Sequence, residues 1–111
     1  MTAFTGKVAL VTGTSGIGLA SARRLALGGA AVLALGIDSQ ANASLDVVAE
    51  AKGLRMQARL TDVSQDDQAE AAVADCVQHL GRLDIIVNAA TFITGSDFRI
   101  EGGLRAALGV R

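Results

Sequence analysis

Apolar residues follow two rhythms along this chain, short unbroken runs and longer stretches with a helical repeat, and the two take turns. Val8-Ala9-Leu10-Val11-Thr12 is a run of small and β-branched residues, the pattern of a strand buried on both faces of a parallel sheet. Leu19, Ala22, Leu25 and Ala26 then recur at helical spacing, with Arg23 and Arg24 on the outer side and Gly28-Gly29 as the stop. Ala31-Val32-Leu33-Ala34-Leu35 repeats the buried-strand pattern and ends at Gly36-Ile37-Asp38. A second helix, beginning near Ser39 to Ala43, carries Leu45, Val48 and Ala49 on one face and ends at Gly53. Met56, Ala58 and Leu60 alternate with Gln57, Arg59 and Thr61, which predicts a strand with one face less buried, as near a sheet edge.

Beyond Thr61-Asp62-Val63, Ser64 followed by Asp67 resembles a helix N-cap with an acidic N3 partner. The helix behind it is the clearest of the three, with Ala69, Ala72, Val73, Cys76, Val77 and Leu80 at i, i+3, i+4, i+7, i+8 and i+11. Gly81 ends it, and residues 83–90 form a fourth strand that is apolar except toward its C-terminal end.

This βαβαβαβ order with short connections predicts an α/β domain: a parallel sheet with right-handed crossovers, strand order 3-2-1-4, and helices on both faces. The loops after the four strands then gather on one edge, where open α/β sheets bind ligands at the switch point between strands one and four. We read residues 1–111 as one domain, with the βα units in 1–90 and a tail in 91–111.

The length of 111 residues suffices for a core but is short for a complete two-half dinucleotide fold. A net charge of −1 with scattered basic residues gives no basic face for nucleic acid or an anionic membrane, so a small molecule or another protein is the expected partner. Cys76 is the only cysteine, which rules out an internal disulfide and suits a reducing compartment. There is no signal-peptide pattern after Lys7 and no run long enough to cross a bilayer, so a cytoplasmic location is expected.

Between the first strand and the first helix, Gly13-Thr14-Ser15-Gly16-Ile17-Gly18 reads as a phosphate-binding turn. Glycines let the backbone approach a pyrophosphate, and the first helical amides aim unpaired N–H groups at it. An ordinary strand-to-helix turn is the alternative, and the spacing is G-x-x-G-x-G rather than the G-x-G-x-x-G of the dinucleotide fingerprint. Asp38 lies about twenty residues beyond the turn, where an acid can meet a ribose hydroxyl; capping the second helix would explain it equally well. Cys76 and His79 are one helical turn apart but have no second pair, so no metal site is assigned. Asp66, Asp67 and Glu70 fit a helix start, where carboxylates favour the dipole.

Taken together, these motifs resemble the short-chain dehydrogenase/reductase family. Thr12, Gly13, Gly16, Ile17 and Gly18 resemble its T-G-x-x-x-G-x-G turn; Asp62-Val63 look like its adenine-contacting Asp-Val; and residues 83–90 resemble its L-D-x-L-V-N-N-A-G. The resemblance implies a Rossmann-like fold and an NAD(P)-dependent oxidoreductase ancestry, with the turn residues, Asp62, Val63, Asn88, Ala89 and Ala90 placed around a cofactor, and Asp38 joining them by the looser spacing rule.

The chain also departs from that pattern. The turn is one residue short, the family's ribose-binding acid falls on Gly36, and Asn88-Ala89-Ala90-Thr91 keeps only the first Asn of N-N-A-G. With no basic residue in the turn or at 36–40 to meet a 2′-phosphate, NAD is favoured over NADP if a cofactor binds. The catalytic Ser and Tyr-x-x-x-Lys are missing: there is no Tyr, and Lys7 and Lys52 are the only lysines. The phenol that would exchange a proton with substrate is therefore absent, and no catalytic residue is assigned.

Residues 91–103 resemble the I-T-G, short strand and D-G-G near the C-terminus of full-length members. The chain thus looks like a cofactor half joined to a last strand without the catalytic middle. So short a connection cannot return a parallel strand, so Phe98-Arg99-Ile100 must form a hairpin, pack elsewhere or stay loose. The exposed fourth-strand edge, and a face covered only by the third helix, predict a homo-oligomer. A subunit completed by another chain and a structural protein retaining the half-fold are the other readings of function.

Overall fold

A computed structural model describes residues 3–88. The elements run β1 (Val8–Thr12), α1 (Gly16–Leu27), β2 (Ala31–Gly36), α2 (Ser39–Lys52), β3 (Met56–Leu60), α3 (Asp66–Leu80) and β4 (Ile85–Asn88). All strand pairs are parallel and the order is β3-β2-β1-β4, as the alternation of runs and repeats predicts.

Successive strand side chains point to opposite faces, which divides the core in two. Ala9, Val11, Val32, Ala34 and Met56 pack under α1 and α2 with Ala22, Leu25, Leu45 and Ala49. Val8, Leu10, Leu33 and Leu35 pack on the other face against Ala69, Val73 and Cys76 of α3. Every residue of β1 is buried, because it has a strand on each side and helices above and below. Left-handed glycines, Gly53 at φ 63° and Gly81 at φ 85°, close α2 and α3 as expected.

Two expectations are corrected. Ser64 does not cap α3: Asp62 Oδ1 accepts both its N–H at 3.1 Å and its hydroxyl at 2.6 Å, which turns the hydroxyl away from the helix. The N-cap is Gln65, without a side-chain bond, and Asp66 and Asp67 occupy the first turn. Leu60, expected on the buried face of β3, is 67 % exposed. It ends an edge strand opposite Gly36, which offers no side chain to cover it.

β4 has no outer neighbour among the described residues. Ile85 and Val87 pack toward α1, whereas Ile86 on the α3 side is 37 % exposed, so that face is thinly covered. The start of β4 is clamped to β1: Val8 N–H donates to Asp84 Oδ2 at 2.8 Å, and Asp84 N–H donates to Val8 O at 2.9 Å. Arg82 donates twice to the other carboxylate oxygen, at 3.0 and 2.7 Å.

These hydrogen bonds, Arg82 first and the Val8 amide second, hold the Asp84 carboxyl below the ordinary Asp range. A depressed carboxyl contributes stability that is complete above the unfolded value, about 3.9, and is lost as pH falls through the folded one. Asp84→Asn is therefore expected to lower the melting temperature at neutral pH and to flatten its acid decline. Thermal melts from about pH 2 to 6 span that titration and test both effects.

Candidate functional site

The turn after β1 is built by contact between two glycines. Gly13 takes φ 123°, a conformation that side chains rarely adopt. A Cβ on Gly18 would lie 2.6 Å from the Gly13 carbonyl carbon and oxygen, so α1 can seat against the turn only with glycine at position 18. Gly13 N–H donates to Leu35 O at 2.7 Å, which ties the turn to the end of β2. Ser15 is the α1 N-cap but makes no side-chain cap bond, and no acid stands in the first helical turn. A Cβ at Gly16 would meet nothing within 4 Å. The α1 N-terminus thus faces open space with its amide donors uncapped by side chains, an arrangement suited to an anion.

At the end of β2, the direction a side chain of residue 36 would take is already filled. A Cβ on Gly36 would lie 2.4 Å from Thr14 Oγ1 and 2.5 Å from Asn42 Oδ1. Asn42 Nδ2 donates to Gly36 O at 3.1 Å, an oxygen that also accepts Thr61 N–H at 2.9 Å. Asn42 is a site residue that apolar periodicity passes over, although a polar residue sharing the buried stripe of α2 with Leu45 and Ala49 is a readable signal. Asp38 caps α2, its Oδ1 accepting from Gln40 N–H at 2.9 Å and Ala41 N–H at 3.3 Å. The capping alternative thus describes one of its oxygens.

Asp62 follows β3, and Val63 is buried in the α3-side core. The Ser64 hydroxyl first and its amide second hold the Asp62 carboxyl below its ordinary range. At the end of β4, Asn88 Oδ1 accepts from the buried Thr12 hydroxyl at 2.8 Å. Gly13, Thr14, Ser15, Gly16, Ile17, Gly18, Asp38, Asp62, Val63 and Asn88 therefore share the C-terminal edge of the sheet. Ala89, Ala90 and the tail at 91–111 lie outside the described residues.

A sequence model of the short chain dehydrogenase family matches residues 7–101. The chain belongs to the short chain dehydrogenase family. An uncharacterised oxidoreductase of Methylorubrum extorquens is 47 % identical over 95 residues, a match covering 79 % of this chain and 36 % of that protein. A crystal structure of actinorhodin polyketide ketoreductase with NADPH superposes with a TM-score of 0.78 at 29 % identity, covering 93 % of this chain and 48 % of that one. A short chain dehydrogenase/reductase from Burkholderia phymatum in complex with NAD gives a TM-score of 0.72 at 31 % identity, over 78 % of this chain and 31 % of that one. The chain spans about a third of the length of the curated relatives it matches.

The other reactive side chains of the chain stand away from the C-terminal edge. Cys76 is buried on the α3 core stripe, whereas His79 is exposed and holds Nδ1 2.6 Å from Asp75 Oδ1, so the two do not converge. A groove of about 480 Å³ between α3 and the N-terminal ends of β2 and β3 passes Arg55, Asp75, Cys76 and His79, on the sheet edge opposite the glycine turn. Burial pushes the Cys76 thiol up to about 11, with the nearby Asp75 charge adding to the effect. A thiol-disulfide reagent at pH 8 is expected to label Cys76 slowly in the folded protein and fully in denaturant; fast native labelling would contradict its burial.

Proposed function

We propose that this chain is a cytoplasmic dinucleotide-binding module of the short chain dehydrogenase family, taking NAD in preference to NADP and lacking self-contained hydride-transfer catalysis. The contact of Gly18 with Gly13, with the α1 N-terminus left open at the switch point between β1 and β4, carries this reading. The amides of Gly13, Thr14, Ser15, Gly16, Ile17 and Gly18 would hold the pyrophosphate. Asp38 would stand at the adenosine ribose, Asp62 and Val63 at adenine, and Asn88, Ala89 and Ala90 along the far side of the crevice.

Relatives of similar fold are described with NADPH and with NAD, so the cofactor form is decided by local residues. Here the β2–α2 corner presents the Asp38 carboxylate and no cation between 36 and 40, which disfavours a 2′-phosphate. A bound dinucleotide would supply a hydride donor or acceptor, but this chain has no Tyr to exchange the accompanying proton.

Calorimetric titration with NAD, NADP and ADP-ribose tests the reading. NAD and ADP-ribose are expected to bind, with NADP weaker by about tenfold, near 1.4 kcal/mol. Failure of all three at about millimolar concentration, a binding energy near −4 kcal/mol, would sink it. Nicotinamide-dependent turnover by the purified chain would overturn the absence of self-contained catalysis.

The exposed Ile86 and the outer edge of β4, which has no partner strand among the described residues, favour a second element of the proposal, association with another copy or with a completing chain. Light scattering after size exclusion is expected to give a mass above that of the monomer.

A further inference from the structure

The core on the α3 side of the sheet draws on β1 and β2 but on no residue of β3. The start of β3 instead forms one wall of the groove of about 480 Å³ that runs beside α3, a volume within the roughly 300–1,000 Å³ of small-molecule sites. Leu33 pairs with Gln57 and Val32 with Met56, so strand alternation puts Ala31, Leu33 and Gln57 on the groove side while Val32 and Met56 pack under α1 and α2. The two walls differ in chemistry. β2 and α3 supply Ala31, Leu33, Cys76 and Leu80, whereas β3 and the residue before it supply the exposed Gln57 and Arg55. Asp75, the acid of the lining, already has a cation and an imidazole: Arg59 Nη1 stands 3.6 Å from its Oδ2, and His79 Nδ1 2.6 Å from its Oδ1. Arg55 has no such partner. Its carbonyl accepts Val32 N–H at 2.8 Å, which pins its backbone to β2, and its side chain makes no hydrogen bond or ion pair among the described residues.

We infer that this groove binds a small apolar carboxylate, with the chain of the acid along Leu33, Cys76 and Leu80 and its charge at Arg55 and Gln57. The carboxylate accepts from the guanidinium and from the Gln57 amide, which stand next to each other on one face of the β3 segment. The chain of the ligand covers the apolar wall and leaves water as it does so. A cationic ligand is disfavoured, because the Asp75 carboxylate is already engaged on both oxygens and Arg55 repels it. The groove lies on the sheet edge opposite the glycine turn, so the site is separate from the dinucleotide crevice and does not depend on that reading.

The test titrates octanoate into the full chain by calorimetry, with butyrate, octanol and octylamine for comparison and thermal melts to confirm that each variant folds. Octanoate is expected to bind. Octanol is expected to bind about fivefold more weakly, the worth of an exposed ion pair, and butyrate at least about tenfold more weakly because its chain is shorter. Arg55→Gln is expected to weaken octanoate about fivefold and to leave octanol unchanged. Arg55→Lys, which keeps the charge, and Arg24→Gln, which removes an exposed cation of α1 on the other face of the sheet, are expected to keep octanoate affinity. Failure of octanoate to bind at about millimolar concentration overturns the inference, and so does equal octanoate affinity in Arg55→Gln and the wild-type chain. Octylamine binding more tightly than octanoate assigns the groove to Asp75 and also overturns it. Each of these outcomes leaves the dinucleotide reading standing.

Discussion

Gly18→Ala is expected to destabilise the domain by about 3 kcal/mol or more and to remove any nucleotide affinity. The single added methyl would lie 2.6 Å from the carbonyl carbon and oxygen of Gly13 and 2.8 Å from its Cα. All three obstacles are backbone, so no side chain can swing aside. Either α1 moves off the sheet, opening the packing of Ala22, Leu25 and Ala26, or the turn rotates and its amides lose their common aim. Denaturant titration measures the first loss and calorimetry with ADP-ribose the second. A melting temperature within a degree or two of wild type would show that the turn is looser than the contact of Gly13 with Gly18 implies. Gly16→Ala is the informative comparison: its methyl would meet open space but sit at φ 55°, so only conformational strain, about 1 kcal/mol, is expected.

Restoring the family's acid is expected to harm rather than help. Gly36→Asp places a Cβ 2.4 Å from Thr14 Oγ1 and 2.8 Å from its Cγ2, with Asn42 Oδ1 at 2.5 Å. These are side-chain atoms, so the corner can yield, at a cost of about 2 kcal/mol in overpacking. The new carboxylate would also face Asn42 Oδ1, an acceptor with no proton to offer. Chemical denaturation is expected to show that loss, and NAD affinity is expected to fall as Thr14 is displaced. Tighter NAD binding by Gly36→Asp would mean that the corner reorganises around the acid.

The strand order, the three helices and the glycine stops are legible because each depends on a local repeat. β1 and β2 read as unbroken apolar runs since both are interior strands with a helix layer on each side. The α3 stripe reads cleanly because one helix faces one core. Legibility fails where a polar group has a choice of partners. Ser64 has the residue type and spacing of a cap, but the Asp62 carboxylate offers a charged acceptor two residues away and captures the hydroxyl first. Leu60 follows the alternation of β3, yet alternation cannot tell that its neighbour across the sheet is a glycine.

In the candidate site, the turn glycines, Asp38 and Asp62 are visible as motif positions. The filling of the Gly36 corner is not, because it depends on two side chains from different elements meeting in space. Asn42 sits where α2 should present a hydrophobic residue, and only the packing shows that its amide holds the end of β2.

The clamp between Val8 and Asp84 spans 76 positions of sequence and couples the first strand to the last described one. During synthesis, β1, α1 and β2 leave the ribosome long before β4 exists, so the central strand of the finished sheet begins life as an edge. Until residues 84–88 emerge, that edge offers unpaired amides and carbonyls, and the apolar β1 side chains lack their neighbours across the sheet. Vectorial folding thus stays incomplete until the end of the βα series, and chaperone engagement or premature pairing with another nascent copy would concentrate in that interval.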